Sequence, residues 1–545
     1  MKIAMVCVED GLMSVGTRKM TAFVRTLNPD TTASYVTYDN FRSLWRTLLG
    51  ENGASRFSEE LISEMAEPLA KADMVCFSSM TGYAVLTSKI IRRIREINPH
   101  SYIVWGGIHP IIVPEDAILH ADAICTGEGE FAFQEFYENF SGGRDYTKTR
   151  NFWFNKGGEV IKNGFLPLMT AAQMDSLPIL HYGYDELIYK PGQGYKELDI
   201  REYINYNGLS YNTVWSIGCP FKCTYCGNTK FIENDKSYRV IRHPSVEFII
   251  SEFKMVLSRH PHISTIVFHD DSFMALPLNT LEEFSLRYRK EIDVPFCIQG
   301  VIPNYVRADK LEVLLEGGLN RVRMGIQNGS QQILKFYDRP TPPPKISLAA
   351  SVLSNYSRYM IPPAYDIILD NPIETREDVV ENLKFLHKLA RPFTLNIYSL
   401  RTIPNTELDR QMRARNISME SISANYIHNA PTIANLLVFL IATMYVPRAL
   451  FSFILQRAEP LLADQPLYPR LFVVSRGIYL VKRAINHLKV MDFSVLTGRT
   501  GYVLWRIGFI GFWRAHFVPR FTRSKSSLGP PTTKSTHIEL SGSKG

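Results

Sequence analysis

Cys219, Cys223 and Cys226 place three thiols within eight residues, in the segment Ser216-Ile217-Gly218-Cys219-Pro220-Phe221-Lys222-Cys223-Thr224-Tyr225-Cys226-Gly227-Asn228. Three thiolates so spaced can bind three irons of a cubane cluster. The fourth iron is left without a protein ligand, and that open corner suits a cluster that binds and reduces a small molecule. The competing chemistry is structural zinc, which needs a fourth Cys or His. No second Cys or His pair stands at the required spacing, and His243, His260, His262 and His269 are scattered. The other four of the seven cysteines, Cys7, Cys76, Cys125 and Cys297, lie in apolar, strand-like runs and read as buried small hydrophobes. An odd number with three crowded together is no disulfide framework and fits a reducing cytosol.

A second set of residues can contact a flat or phosphorylated ligand. Gly106-Gly107 and Gly127-Glu128-Gly129 each follow an apolar run. Glycine lets the backbone approach a ligand closely, and Gly127 and Gly129, just before a helix, can offer N–H groups to a phosphate or nucleotide tail. Ser79 and Thr81 offer hydroxyls after another such run. Taken singly, these pairs are also what tight strand-to-helix turns require.

The elements that must carry these residues are α/β throughout. In 1–145, strands at Lys2–Val8, Met74–Ser78, Tyr102–Trp105 and Ala123–Cys125 alternate with helices at Thr17–Leu27, Glu59–Ala70, Val85–Ile97 and Phe131–Phe140. This alternation predicts a Rossmann-like, doubly wound parallel sheet with its ligands at the carboxyl ends of the strands. Residues 146–208, rich in Gly, Pro and Tyr, read as a linker draped over the next domain, with a hairpin turning at Lys156-Gly157-Gly158. In 209–408 six strand–helix units, beginning at Tyr211–Ile217 and ending at Leu395–Leu400, predict a partial (β/α)6 barrel with chemistry at its carboxyl end. Residues 409–522 read as mostly helical, and 523–545 as a polar, disordered tail.

The CxxxCxxC segment, with Tyr225 just before the third cysteine at the end of the first barrel strand, resembles the radical SAM superfamily. So do His269-Asp270-Asp271-Ser272-Phe273, Gly325-Ile326-Gln327-Asn328-Gly329-Ser330, Tyr337-Asp338-Arg339, the run from Ile367 to Thr375 and that from Ile403 to Leu408. The resemblance implies a 4Fe-4S cluster held by Cys219, Cys223 and Cys226, with S-adenosyl-L-methionine (SAM) on the open iron. One electron then yields a 5′-deoxyadenosyl radical that attacks an unactivated C–H bond. SAM contacts are implied at Asp270, Asp271 and Gln327, the last where the family usually has Glu. For the two aspartates, a helix N-cap or a barrel-rim salt bridge is the alternative. Upstream, Val104-Trp105-Gly106-Gly107-Ile108-His109-Pro110 and Thr126-Gly127-Glu128-Gly129-Glu130 resemble the cobalamin-binding domain that precedes many such barrels. Cobalamin contacts are thereby implied at Ser79, Thr81, Gly106, Gly107, His109, Gly127, Glu128 and Gly129. The family's D-x-H-x-x-G is missing from Glu9 to Gly16, which implies His-off cobalamin.

Composition sets the remaining limits. Of 545 residues 45% are hydrophobic and 21% charged, which excludes a disordered or disulfide-stapled chain. The net charge of +8 is unevenly placed: residues 430–545 hold 15 basic and 4 acidic residues, the rest 46 and 49. Thr432 to Pro447 is apolar but short of the roughly 20 residues that span a bilayer, and reads as a buried or interfacial helix. Arg499 to Arg514 interleaves arginines with aromatics, as a helical cap or a membrane-interface helix does, and is too apolar for nucleic acid. No signal peptide is read, so the expected location is cytoplasmic, with peripheral membrane contact through the C-terminal region. The expected activity is methylation of an unactivated carbon on a small, hydrophobic or lipid-like substrate, with cobalamin carrying the methyl group and a flavodoxin- or ferredoxin-type electron donor. The alternatives are a radical cyclase, oxidase or isomerase on the same scaffold, and a non-catalytic cobalamin or redox sensor.

Overall fold

The computed structural model describes residues 1–37, 57–422, 427, 429–464, 466–489, 498–509 and 511–512. The disordered tail expected at 523–545 lies outside the described residues. Two sheets organise the chain. The first has nine strands in the order β7-β6-β5-β4-β3-β1-β2-β8-β9. These are β1 (Ile3–Glu9), β2 (Thr31–Thr37), β3 (Met74–Ser79), β4 (Tyr102–Gly106), β5 (Ala123–Cys125), β6 (Phe152–Lys156), β7 (Glu159–Lys162), β8 (Leu187–Lys190) and β9 (Gly194–Glu197). The run from β5 through β1 to β2 and β8 is parallel, and β6, β7 and β9 pair antiparallel at the edges. The direction of winding reverses between β3 and β2, so a crevice opens beside β1 at the carboxyl ends.

Two parts of this sheet depart from the sequence expectation. Strand β2 alternates polar residues with Ala, Tyr and Val and was not foreseen. The segment read as a linker supplies the expected hairpin, β6 and β7, and also β8 and β9, so the sheet does not end near residue 145. The seam at β8 is fixed by a buried ion pair: Arg18 binds Glu186, whose other oxygen accepts from Tyr35 Oη at 2.8 Å. Tyr182 and Tyr203 flank the Arg18 guanidinium. Such a pair is costly to break, because either partner alone is a buried, uncompensated charge.

The second sheet is the six-stranded partial barrel, all parallel, in sequential order: β10 (Ser210–Thr213), β11 (Thr265–Phe268), β12 (Phe296–Val301), β13 (Leu319–Gln327), β14 (Ala364–Leu369) and β15 (Thr394–Ser399). Alternation sends one residue set outward under the helices, including Phe268, Phe296, Ile298, Val322, Met324, Tyr365 and Leu395. The helix Val246–Arg259 shows how the outer layer is specified. Ser245 Oγ accepts from Phe248 N at 3.2 Å at its start, and Ile249, Ile250, Phe253 and Val256 form the buried stripe at helical spacing. Each such side chain contributes about 1.5–3 kcal/mol on burial.

The C-terminal helices close the barrel's open side. Helix Ile433–Thr443 buries Leu437, Val438, Phe439 and Ile441, in accord with the buried reading of this apolar stretch. In helix Pro469–Lys489, Tyr479 Oη donates to the Leu395 carbonyl of the edge strand β15. Helix Gly498–Arg506 reaches the opposite edge, where Tyr502, Leu504 and Trp505 pack on Ile204 and Leu209, just before β10. Among the described residues no helix is long and apolar enough to cross a membrane.

Candidate functional site

The cysteine loop leaves the carboxyl end of β10. Ile217 exchanges both backbone hydrogen bonds with Arg242, at 2.8 and 2.9 Å. Gly218 then turns with φ +117°, where a Cβ would meet the Val240 carbonyl at 2.6 Å, so only glycine fits. Cys223 is buried, while Cys219 and Cys226 are half-buried beside Phe221, Tyr225, Ile302 and Tyr305. Among the described residues no three His, Cys, Asp or Glu side chains converge to hold a single metal ion. Three neighbouring thiols on one loop could each serve one iron of a cluster. Burial pushes the Cys219 and Cys226 thiols up, so their thiolates need the charge of a bound metal.

Arg339 supplies the cationic partner that the candidate residues lacked. Its guanidinium donates to Cys223 Sγ at 3.7 Å, to Tyr225 Oη at 3.4 Å and to the Gly325 carbonyl. Hydrogen bonds and positive charge at a ligating sulfur tune the potential of a cluster. The Tyr337-Asp338-Arg339 motif was its one signal in the sequence. Gln327 ends β13 with φ +66°, its amide folded back against Gly325.

The two aspartates part ways. Asp270 is buried, and its carboxylate accepts from Trp215 N (3.0 Å), Ser216 N (2.7 Å) and Ser216 Oγ (2.5 Å). It braces the root of the cysteine loop, which neither the SAM-contact reading nor its alternatives anticipated. Burial raises its pKa to about 6, which leaves it ionised at neutral pH. Asp271 accepts from Tyr238 Oη at 3.3 Å, and its charge bears on the Cys219 and Cys226 sulfurs, so it stands at the cluster loop itself. Asp270→Ala strands two buried N–H groups at roughly 1–3 kcal/mol each. The expected result is a loss of about 2–5 kcal/mol in denaturant unfolding, with bound iron falling in parallel. An unchanged unfolding midpoint with unchanged iron would remove the bracing role.

A cavity of ≈ 370 Å³ opens at the carboxyl ends of β3, β4 and β5, with Met5 of β1 also lining it. Gly106, Gly107, Gly127, Glu128 and Gly129 line it, as the sequence pattern predicts, over a largely apolar floor that includes Met20 and Phe133. Its far wall belongs to the barrel: Ile217, Phe231 and Tyr238. Gly107 has φ +88°, and a Cβ there would meet Ser78 Oγ and Ser79 N at 2.9 Å. A Cβ on Gly127 would strike Asn151, whose amide donates to the Glu128 carbonyl at 2.8 Å and whose carbonyl accepts from Thr126 N at 2.7 Å. Asn151 shapes this turn from 25 residues away, which no local pattern discloses. A glycine-lined slot of this kind fits a flat corrin.

Three candidates do not reach the cavity. Ser79 points to the other face of β3 from Ser78 and accepts from Trp105 Nε1 at 3.0 Å. Thr81 sits in the 3-10 turn Thr81–Tyr83, outside the lining. His109 is buried against Trp105 and bonded to Asp116 Oδ2 at 3.0 Å. Burial lowers its pKa, and its contacts hold it away from the cavity. No histidine lines the cavity among the described residues.

Glu128 couples the two sites. One carboxylate oxygen binds Arg242 Nη2 at 2.7 Å, and the other accepts from Met169 N at 2.7 Å. Arg242 is also the backbone partner of Ile217, two residues before Cys219. The glycine-rich turn and the cysteine loop are therefore fastened to one residue. Gly227, next to Cys226, meets Ile112 of the first domain in the same seam.

Comparison with known proteins agrees with this geometry. Residues 213–386 match the family model of the radical SAM superfamily, and residues 49–137 match that of the B12 binding domain. An uncharacterised methyltransferase of Pyrococcus horikoshii is 27% identical over 334 residues, 60% of this chain and 67% of that protein. The anaerobic magnesium-protoporphyrin IX monomethyl ester cyclase of Rubrivivax gelatinosus is 24% identical over 288 residues, 52% of this chain and 49% of that protein. The match thus spans two thirds of the first relative and half of the second. In fold, the chain is similar to TsrM from Kitasatospora setae, a radical S-adenosylmethionine methyltransferase solved with cobalamin and a 4Fe-4S cluster. The TM-score is 0.57 at 14% identity, over 76% of this chain and 75% of that one.

Proposed function

For this chain, a radical SAM protein that carries a B12 binding domain, we propose methyl transfer to an unactivated carbon of a hydrophobic, lipid-like substrate. Its cofactors are a 4Fe-4S cluster, SAM and cobalamin. Bound in place, they supply an open iron for SAM, a carbon radical able to break a C–H bond, and a carrier for a methyl group.

The chain's own residues do the rest. Cys219, Cys223 and Cys226 would hold the cluster, with Arg339 donating to one sulfur and Asp271 beside it. Gly106, Gly107 and Gly127 to Gly129 would seat the corrin. Tyr238 walls this cavity and bonds Asp271, so one side chain borders both sites. The observation that carries the proposal is this shared wall, held at fixed spacing by the Glu128–Arg242 pair. Joining sites in this way lets a methyl carrier and a radical source serve one substrate.

The test is anaerobic purification with iron, sulfide and cobalamin quantified, followed by product mass. A gain of one CH2 with both cofactors present is expected. Loss of H2, or no change in mass, would replace methyl transfer with the cyclase, oxidase or isomerase reading, which the match to the Rubrivivax cyclase favours.

The lipid-like substrate and a peripheral membrane contact rest on the C-terminal helices. Leu471, Val474, Ile478, Val481 and Ile485 are exposed along one face of helix Pro469–Lys489. Flotation with anionic liposomes is expected to carry the full chain upward, and failure to float would remove the membrane contact.

A further inference from the structure

A second chamber, ≈ 330 Å³, lies inside the barrel, between the amino-terminal halves of β12 to β15 and helices Ile433–Thr443 and Pro469–Lys489. Arg321, Arg323, Arg476 and Arg483 line it, and among the described residues no Asp or Glu does. Asp366, on the inward face of β14, is already committed. Arg323 Nε donates to both its oxygens at 2.8 and 2.9 Å, and Asn396 Nδ2 donates to one at 2.7 Å. Arg323 also donates to Gln299 Oε1 and to Tyr398 Oη, so this network roofs the chamber with its charge balanced.

Below the roof two buried donors are left over among the described residues. Arg476 is 5% exposed, and among the described residues it makes no hydrogen bond or ion pair. Burial lowers its pKa, as it does for a guanidinium without an anion nearby. Asn429 is 7% exposed, and its side-chain amide nitrogen is buried without an acceptor. The Arg483 guanidinium lies 5.9 Å from the centroid of the neighbouring Tyr479 ring, with no acid beside it among the described lining residues. A buried, unpaired guanidinium is costly to maintain, and here it stands with an orphan N–H donor and a second arginine around one empty volume. Guanidinium and amide donors converging, with no carboxylate beside them among the described residues, form a receptor for a planar or tetrahedral oxyanion.

Position narrows the ligand. Arg321 precedes Gln327 by six residues in β13. At about 3.3 Å per residue the chamber lies roughly 20 Å along the strand from the carboxyl end that faces the cysteine loop. The Arg323 network stands between, so the ligand is a molecule apart from the cysteine loop: we propose that the chamber binds the oxyanion head, a phosphate or carboxylate, of a small amphiphile. The oxyanion site itself rests on Arg476 and Asn429.

The test is isothermal titration of the full-length holo protein with decyl phosphate, decanoate and decanol. Saturable binding of one or both anions, with decanol at least about tenfold weaker, is expected; the stronger anion identifies the headgroup. Arg476→Gln should weaken anion binding at least about tenfold and Arg476→Lys should restore part of it. Asn429→Asp, which supplies a resident carboxylate, should abolish binding while leaving the fold intact by circular dichroism. Equal binding of decanol, or unaltered anion binding in both Arg476→Gln and Asn429→Asp, would overturn the proposal. Iron and cobalamin contents of the same preparations report on the cofactor sites separately, so failure there leaves this result readable.

Discussion

Cys223→Ala is expected to collapse bound iron and abolish reductive SAM cleavage while the chain stays folded. The substitution removes one of three cluster thiolates, and the Arg339 donor loses its sulfur acceptor. Little packing is lost, because a thiol and a methyl group differ by one atom. The measurements are iron and sulfide per chain, circular dichroism, and 5′-deoxyadenosine formed under a strong reductant. Cys7→Ala is the control, since Cys7 is buried at β1 with Ser14 as its hydrogen-bond partner and lies outside the cysteine loop. SAM cleavage that survives in Cys223→Ala would end the cluster assignment.

The second large effect separates the two cofactors. Gly129 has φ −87° and ψ −33°, a conformation open to any L-residue, and the first atom a Cβ would meet is Met20 Sδ at 3.4 Å. Gly129→Trp therefore folds without backbone strain and places its indole in the cavity. Overpacking of this kind costs about 1–3 kcal/mol, or about 5- to 150-fold in cobalamin affinity. The expected variant purifies without cobalamin, keeps its iron, still cleaves SAM and makes no methylated product. Undiminished product would show that the cavity is not a methyl-carrier site and favour the cyclase alternative.

These two experiments rest on features of unequal visibility in the sequence. The cysteine loop and glycine turns are local: ligands within eight residues, or a turn that needs a missing Cβ, leave a spacing that can be read directly. The barrel strands were equally plain, because each alternates under an amphipathic helix. Strand β2 escaped because Thr31, Thr32 and Ser34 interrupt any apolar run, and its burial comes from β1 and β8 on either side. The hairpin of β8 and β9 escaped because Leu187–Lys190 and Gly194–Glu197 are only four residues each. The role of Asp270 was hidden for a related reason. Its partners at 215 and 216 lie more than 50 residues away, and a strand-end acid looks the same whether it binds a ligand or a backbone. Asn151 and Arg242 share this property, since each acts on a segment distant in sequence.

The buried pair of Arg18 and Glu186 has a consequence for biosynthesis. Vectorial synthesis delivers β2 and the Arg18 helix early, yet their partners β8 and Glu186 emerge roughly 150 and 170 residues later. Until then β2 is an open edge and a guanidinium has no counter-ion, so the first sheet stays unsealed while the ribosome translates the stretch between. A gene cut near residue 145 would freeze the chain in that half-built condition, whereas one cut near residue 208 releases a sheet with both margins finished. Recombinant expression of the first domain alone should therefore reward the longer fragment.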